Sequence, residues 1–180
     1  MRHVGLVCEG PTDAIVLESI VANVLDEDFV THYLQPRFDA LHGWGPGSNE
    51  LVETWCKRVG RNLPWSAPTI EVLIVQLDAD RSSKHGTSST KELCDRVKTW
   101  LDTGAADPRL IIAIPAQAIE AWLLPLIEPV SPSAEGIPHP AQRLASKGRL
   151  EPDGHGSVPS GHERHGAKHD GHVAIARFLR

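Results

Sequence analysis

Three carboxylates sit where an open parallel sheet would place a site. Glu9 closes the apolar run from His3 to Cys8, and Asp78 and Asp80 close the run from Ile70 to Leu77. Sheets of that kind carry their sites at the carboxyl ends of the strands. If the two runs are neighbouring strands, Glu9, Asp78 and Asp80 converge at one edge. The two aspartates, two positions apart in extended backbone, then share a face. Carboxylates held close repel one another, more strongly as water is excluded. A hard cation such as Mg²⁺ or Mn²⁺ relieves that repulsion and suits oxygen ligands. The chemistry that follows is phosphoryl transfer, in which metal ions activate a water and stabilise the leaving oxygen. Each motif alone also has a plainer reading, because aspartates at strand ends serve as turn formers.

The elements that must position these residues alternate along the first two-thirds of the chain. After the Glu9-Gly10-Pro11-Thr12 turn, Ile15, Val16, Leu17, Ile20, Val21, Val24 and Leu25 recur at helical spacing. Pro11 suits a first helical turn, where its missing N–H costs nothing. A second strand is expected within Phe29 to Gln35, then a turn-rich loop around Gly43 to Gly47. A helix follows from about Asn49 to Asn62, capped by Ser48 or Asn49. The nearly continuous, β-branched run Ile70 to Leu77 predicts a central strand covered on both faces. A polar loop, a helix from about Thr90 to Leu101, a strand from Leu110 to Ile114 and a helix from Pro115 to Leu126 complete the series. This βαβα order implies a three-layer, Rossmann-like parallel sheet with helices on both faces, spanning residues 1–130. Residues 131–180, rich in proline, glycine, serine and histidine, read as an irregular extension.

Composition narrows the function classes. No run reaches the roughly 20 apolar residues of a membrane span, and the N-terminal run breaks at Glu9 too soon for a signal peptide. Cys8, Cys56 and Cys94 are isolated and odd in number, which fits reduced thiols packed as small apolar residues in a cytoplasm. The formal charge of −5 is not the footprint of a nucleic-acid binder. A nuclease that clusters carboxylates around a metal is compatible with it. Lys57, Arg58 and Arg61, and Arg81, Lys84 and Lys91, form two basic groups. Taken alone, each reads more simply as a solvated surface, the first a helix face and the second a loop.

The segments Val4 to Asp13 and Leu73 to Asp80 resemble the Toprim superfamily, shared by topoisomerases, bacterial primases and the overcoming-lysogenization-defect nucleases. The stretch Ile114 to Leu124 is similar to a tryptophan-containing acidic helix of small bacterial Toprim-like proteins. The resemblance covers roughly residues 1–128. It implies that Glu9 is a metal-binding or acid–base glutamate, that Asp78 and Asp80 are metal ligands, and that Glu120 is a further acidic site residue. It also implies a Mg²⁺-dependent nuclease acting on DNA or RNA, in phage defence or DNA maintenance, beside a separate partner ATPase. Nuclease relatives often add a late lysine. Lys147 and Lys168 are the candidates, and neither sits in a matching motif.

Other readings stand beside this one. Glu120 and Asp13 each also fit a first helical turn, where a carboxylate meets the helix dipole. His162, His165, His169 and His172 recur at helical spacing and could bind Zn²⁺ or Ni²⁺. Gly166 and Gly171 weaken that helix, and a solvated tail is the simpler account. A non-catalytic Toprim-like module binding a nucleotide or a partner would carry the same motifs. A haloacid-dehalogenase-type phosphatase also uses DxD after a strand, but places it at the start of the domain.

Overall fold

The computed structural model describes residues 1–25, 27–59, 70–79, 89–102, 107–116, 119–126, 137 and 139–146. Its centre is a four-stranded, all-parallel sheet in the order β2-β1-β5-β6, built from β1 (Arg2–Val7), β2 (Phe29–Gln35), β5 (Val72–Gln76) and β6 (Leu110–Ala113). A two-stranded antiparallel hairpin, β3 (Phe38–Asp39) and β4 (Gly43–Trp44), stands beside it. The four α-helices are α1 (Pro11–Val24), α2 (Asn49–Val59), α3 (Thr90–Trp100) and α4 (Pro140–Ser146), and a 3₁₀ segment covers Ile119–Leu126.

The period-two alternation of the strands builds two cores. Val4, Leu6, Cys8 and Ile74 face one side and pack with Ala14, Val16 and Leu17 of α1, with Ile119, Leu123 and Leu124, and with Leu144 of α4. Val7, Leu73, Val75 and Leu77 face the other and pack with Val52 and Cys56 of α2 and with Leu93 and Val97 of α3. Helices therefore cover both faces, as the sequence predicts for a buried central run. Each fully buried leucine or valine here contributes about 1.5–3 kcal/mol relative to exposure. Cys8 and Cys56 are free, buried thiols within these cores, as expected of small apolar fillers.

Local signals decide the helix starts. Pro11 occupies the first turn of α1, and the Asp13 carboxylate accepts the Gly10 N–H at 2.7 Å, so Asp13 caps the helix as a first-turn acid. Ser48, rather than Asn49, caps α2 by accepting the Leu51 N–H, and Ser89 caps α3 by accepting the Glu92 N–H.

Three expectations are corrected. The loop around Gly43–Gly47 carries a short hairpin, in which Phe38 pairs with Trp44 and both meet Tyr33. The expected helix from Pro115 to Leu126 is 3₁₀ and begins at Ile119, with Ile114 to Ala116 leaving β6 outside any helix. Pro125 within it supplies no N–H to the helical ladder. Within the stretch read as irregular from residue 131, Pro140–Ser146 forms α4 and buries Leu144. Proline at the first helical position and an apolar anchor outweighed the local composition.

Candidate acidic site

The chain leaves β1 and runs outward to β2 on one side, then returns to place β5 and β6 on the other. The helices after β1 and after β5 pack on opposite faces, so the connections part between these two strands. That crevice, at the carboxyl ends of β1 and β5, is the topological switch point where open α/β sheets bind ligands. Pairing of Val7 with Val75 brings the next residues of the two strands alongside one another.

Glu9 and Asp78 are in contact there. The Asp78 backbone N–H donates to Glu9 Oε1 at 2.7 Å. Between them lies Gln76, the last residue of β5 and wholly buried. Its Oε1 accepts the Glu9 backbone N–H at 3.2 Å, and its Nε2 donates to Asp78 Oδ1 at 2.7 Å. Three hydrogen bonds thus close a ring through Glu9, Gln76 and Asp78. Both carboxylate residues are partly buried, within reach of solvent.

A glycine loop is pressed onto this turn. A Cβ at Gly47 would fall 2.2 Å from the Glu9 carbonyl oxygen and 3.0 Å from the Gly10 Cα, so only glycine fits the contact. Gln35 Nε2 holds the loop by donating to Pro46 O at 3.1 Å, and the Gly45 N–H donates to Arg37 O at 2.8 Å. The hairpin therefore fixes the loop against Glu9. Because α2 starts directly after that loop and α1 directly after Glu9, the positive ends of two helices lie near the carboxylates. Burial pushes the Cys8 thiol well above its ordinary range, and the neighbouring Asp13 and Glu9 carboxylates push it the same way. Cys8 is a protonated packing residue beside the site.

Glu120 takes no part in these three hydrogen bonds. Glu120 is half-buried at the start of the 3₁₀ segment, after a turn in which Pro115 O accepts the Ala79 N–H at 2.9 Å. Asp80, Arg61, Arg81, Lys84, Lys147, Lys168 and the four tail histidines lie outside the described residues. Sequence reasoning missed Gln76 and the contact role of Gly47. The signal for Gln76 was present: it is the polar residue within the apolar run Val72 to Leu77.

The donor set suits a hard divalent cation. Two carboxylates at a partly open strand edge match the one or two that Mg²⁺ takes while keeping waters and substrate oxygens. Among the described residues no group of three or more histidine, cysteine, aspartate or glutamate side chains is arranged to hold a metal. A cation held here would need further oxygen ligands besides these two residues. No described helix is long and apolar enough to cross a membrane. No family model matches the chain, and no curated protein or solved structure matches it.

Proposed function

We propose that this chain is a Toprim-type, Mg²⁺-dependent nuclease or a related phosphodiester-processing enzyme. The observation that carries the reading is the meeting of Glu9 with Asp78 at the switch point of the sheet, with the Asp78 N–H 2.7 Å from Glu9 Oε1. Glu9, Asp78 and Asp80 would hold the cation, and Glu120 would assist. A bound Mg²⁺ or Mn²⁺ would supply charge to stabilise the leaving oxygen and lower the pKa of an attacking water. Within the protein, Glu9 is oriented by the Asp78 N–H and is the candidate acid–base group. The Asp78 carboxylate is turned by Gln76, and Gly47 seals the far side of the Glu9 turn. Nucleic acid is the expected substrate, and the net charge of −5 favours a partner, such as a separate ATPase, that supplies DNA contact. A place in phage defence or DNA maintenance follows from the resemblance.

The test is cleavage of single- and double-stranded DNA and RNA by the purified chain with Mg²⁺ or Mn²⁺. Cleavage that is lost on chelation and in Asp78→Asn supports the reading. Cleavage that persists unchanged in Asp78→Asn, or none on any of the four substrates, refutes it.

A second reading, a non-catalytic module that binds a nucleotide or a partner protein, is favoured by one observation. Among the described residues, no group of three or more His, Cys, Asp or Glu side chains is arranged to hold a metal. Calorimetry separates the two: the module binds its ligand equally well without divalent cation.

A further inference from the structure

We infer that Gln76 is the positioning residue of the acidic site, orienting the Asp78 carboxylate while it pins the Glu9 backbone of the neighbouring strand, so that a cation could be held between the two. The inference rests on the metal-dependent reading above. A primary amide buried without solvent must find partners for its oxygen and its nitrogen. Here the partners leave it one orientation. The Glu9 backbone N–H can only donate, so it takes Oε1, at 3.2 Å. Nε2 then faces Asp78 and donates to Oδ1 at 2.7 Å, a bond that needs a carboxylate oxygen as acceptor. The amide is oriented by its network, which removes the usual ambiguity between oxygen and nitrogen.

The consequence lies in the closed path. Glu9 N–H bonds Gln76, Gln76 bonds Asp78, and Asp78 N–H bonds the Glu9 carboxylate. Asp78 cannot rotate without breaking the Gln76 link, and Glu9 cannot withdraw without losing the Asp78 N–H. An apolar residue would serve the packing of β5 as its neighbours Ile74 and Val75 do, so burying an amide here has a polar purpose. A lysine or arginine at this place would also orient Asp78, but its charge would compete with the cation. A neutral amide orients and leaves that role to the metal.

The test uses the full chain, with Mn²⁺ binding followed by the loss of the free-ion paramagnetic resonance signal. The relevant Mn²⁺ is the class that Asp78→Asn removes, which separates it from ion held by the histidines. Gln76→Leu keeps the volume and deletes both bonds, and it should weaken that class roughly 10–100-fold, the range for residues that orient metal ligands. Leu73→Ala, a core change on the same strand, should leave the affinity within about twofold, which separates positioning from general loss of stability. If Gln76→Leu binds Mn²⁺ as the wild type does, the inference is wrong and the nuclease reading stands. If Gln76→Leu does not fold, the wild-type framework still decides. The Gln76 side-chain amide resonances should move in Asp78→Asn, and unmoved resonances overturn the inference. Wild-type protein that takes up no Mn²⁺ removable by Asp78→Asn overturns both the inference and the reading beneath it.

Discussion

The two edges of the parallel sheet treat their acids differently. At the amino edge, Arg2 pairs with Glu27, and Asp107 receives Arg109 through Nε at 3.0 Å, Nη2 at 2.8 Å and the backbone N–H at 2.9 Å. These acids meet guanidinium groups at exposed positions, where the pairs cancel charge locally and add little to stability. At the carboxyl edge, Glu9 and Asp78 each accept an amide N–H, one from the backbone and one from Gln76. Amides orient a carboxylate without supplying positive charge. Guanidinium groups thus meet the acids of the amino edge, and amide N–H groups are among the donors that orient Glu9 and Asp78 at the carboxyl edge.

That contrast breaks most directly at Glu9. Glu9→Gln keeps size and hydrogen bonding but removes one charge, and metal-dependent cleavage should fall about a hundredfold or more, as measured by single-turnover kinetics. Equal rates in wild type and Glu9→Gln would make the two edges chemically alike.

Gly47→Ala tests whether the glycine loop holds the same edge. The added methyl would overlap the Glu9 carbonyl oxygen, so loop or turn must shift. Stability should drop by about 1–3 kcal/mol, the cost of forced overpacking, and cleavage should fall with it. Urea denaturation beside the cleavage assay measures both.

At the amino edge the expected effects are smaller and depend on pH. The Arg109 side chain, then its backbone N–H, holds Asp107 down at about 2, below the ordinary carboxylate value of about 3.9. A folded pKa depressed in this way stabilises the fold above about pH 4, and the contribution is lost as pH falls toward 2. The Tm difference between wild type and Asp107→Asn should therefore be present at about pH 6 and close near pH 2. The smallest effect is expected of Arg2→Gln, which should change stability by less than about 1 kcal/mol and leave Mn²⁺ binding untouched.

Much of the fold was legible in the chain because local rules governed it. Val72 to Gln76, with apolar residues on both faces, could only be a strand covered twice, and Pro11 with Asp13 announced the start of α1. The hairpin was hidden because Phe38–Asp39 and Gly43–Trp44 are two residues each, too short for any periodicity. α4 was hidden by its surroundings: its evidence is the burial of Leu144 in the core shared with the 3₁₀ segment and β1, a packing of distant parts of the chain.

The order of strands and helices, and the standing of Glu9 and Asp78 at strand ends, were determined by the sequence itself, since spacing and turn chemistry act over a few residues. That β1 and β5 are neighbours was decided by the tertiary structure, because periodicity states which face a residue takes and is silent about which strand lies beside it. The partnership of Gln76 with both acids was decided at the same level, since its two hydrogen bonds exist only once residues 67 positions apart have been brought together.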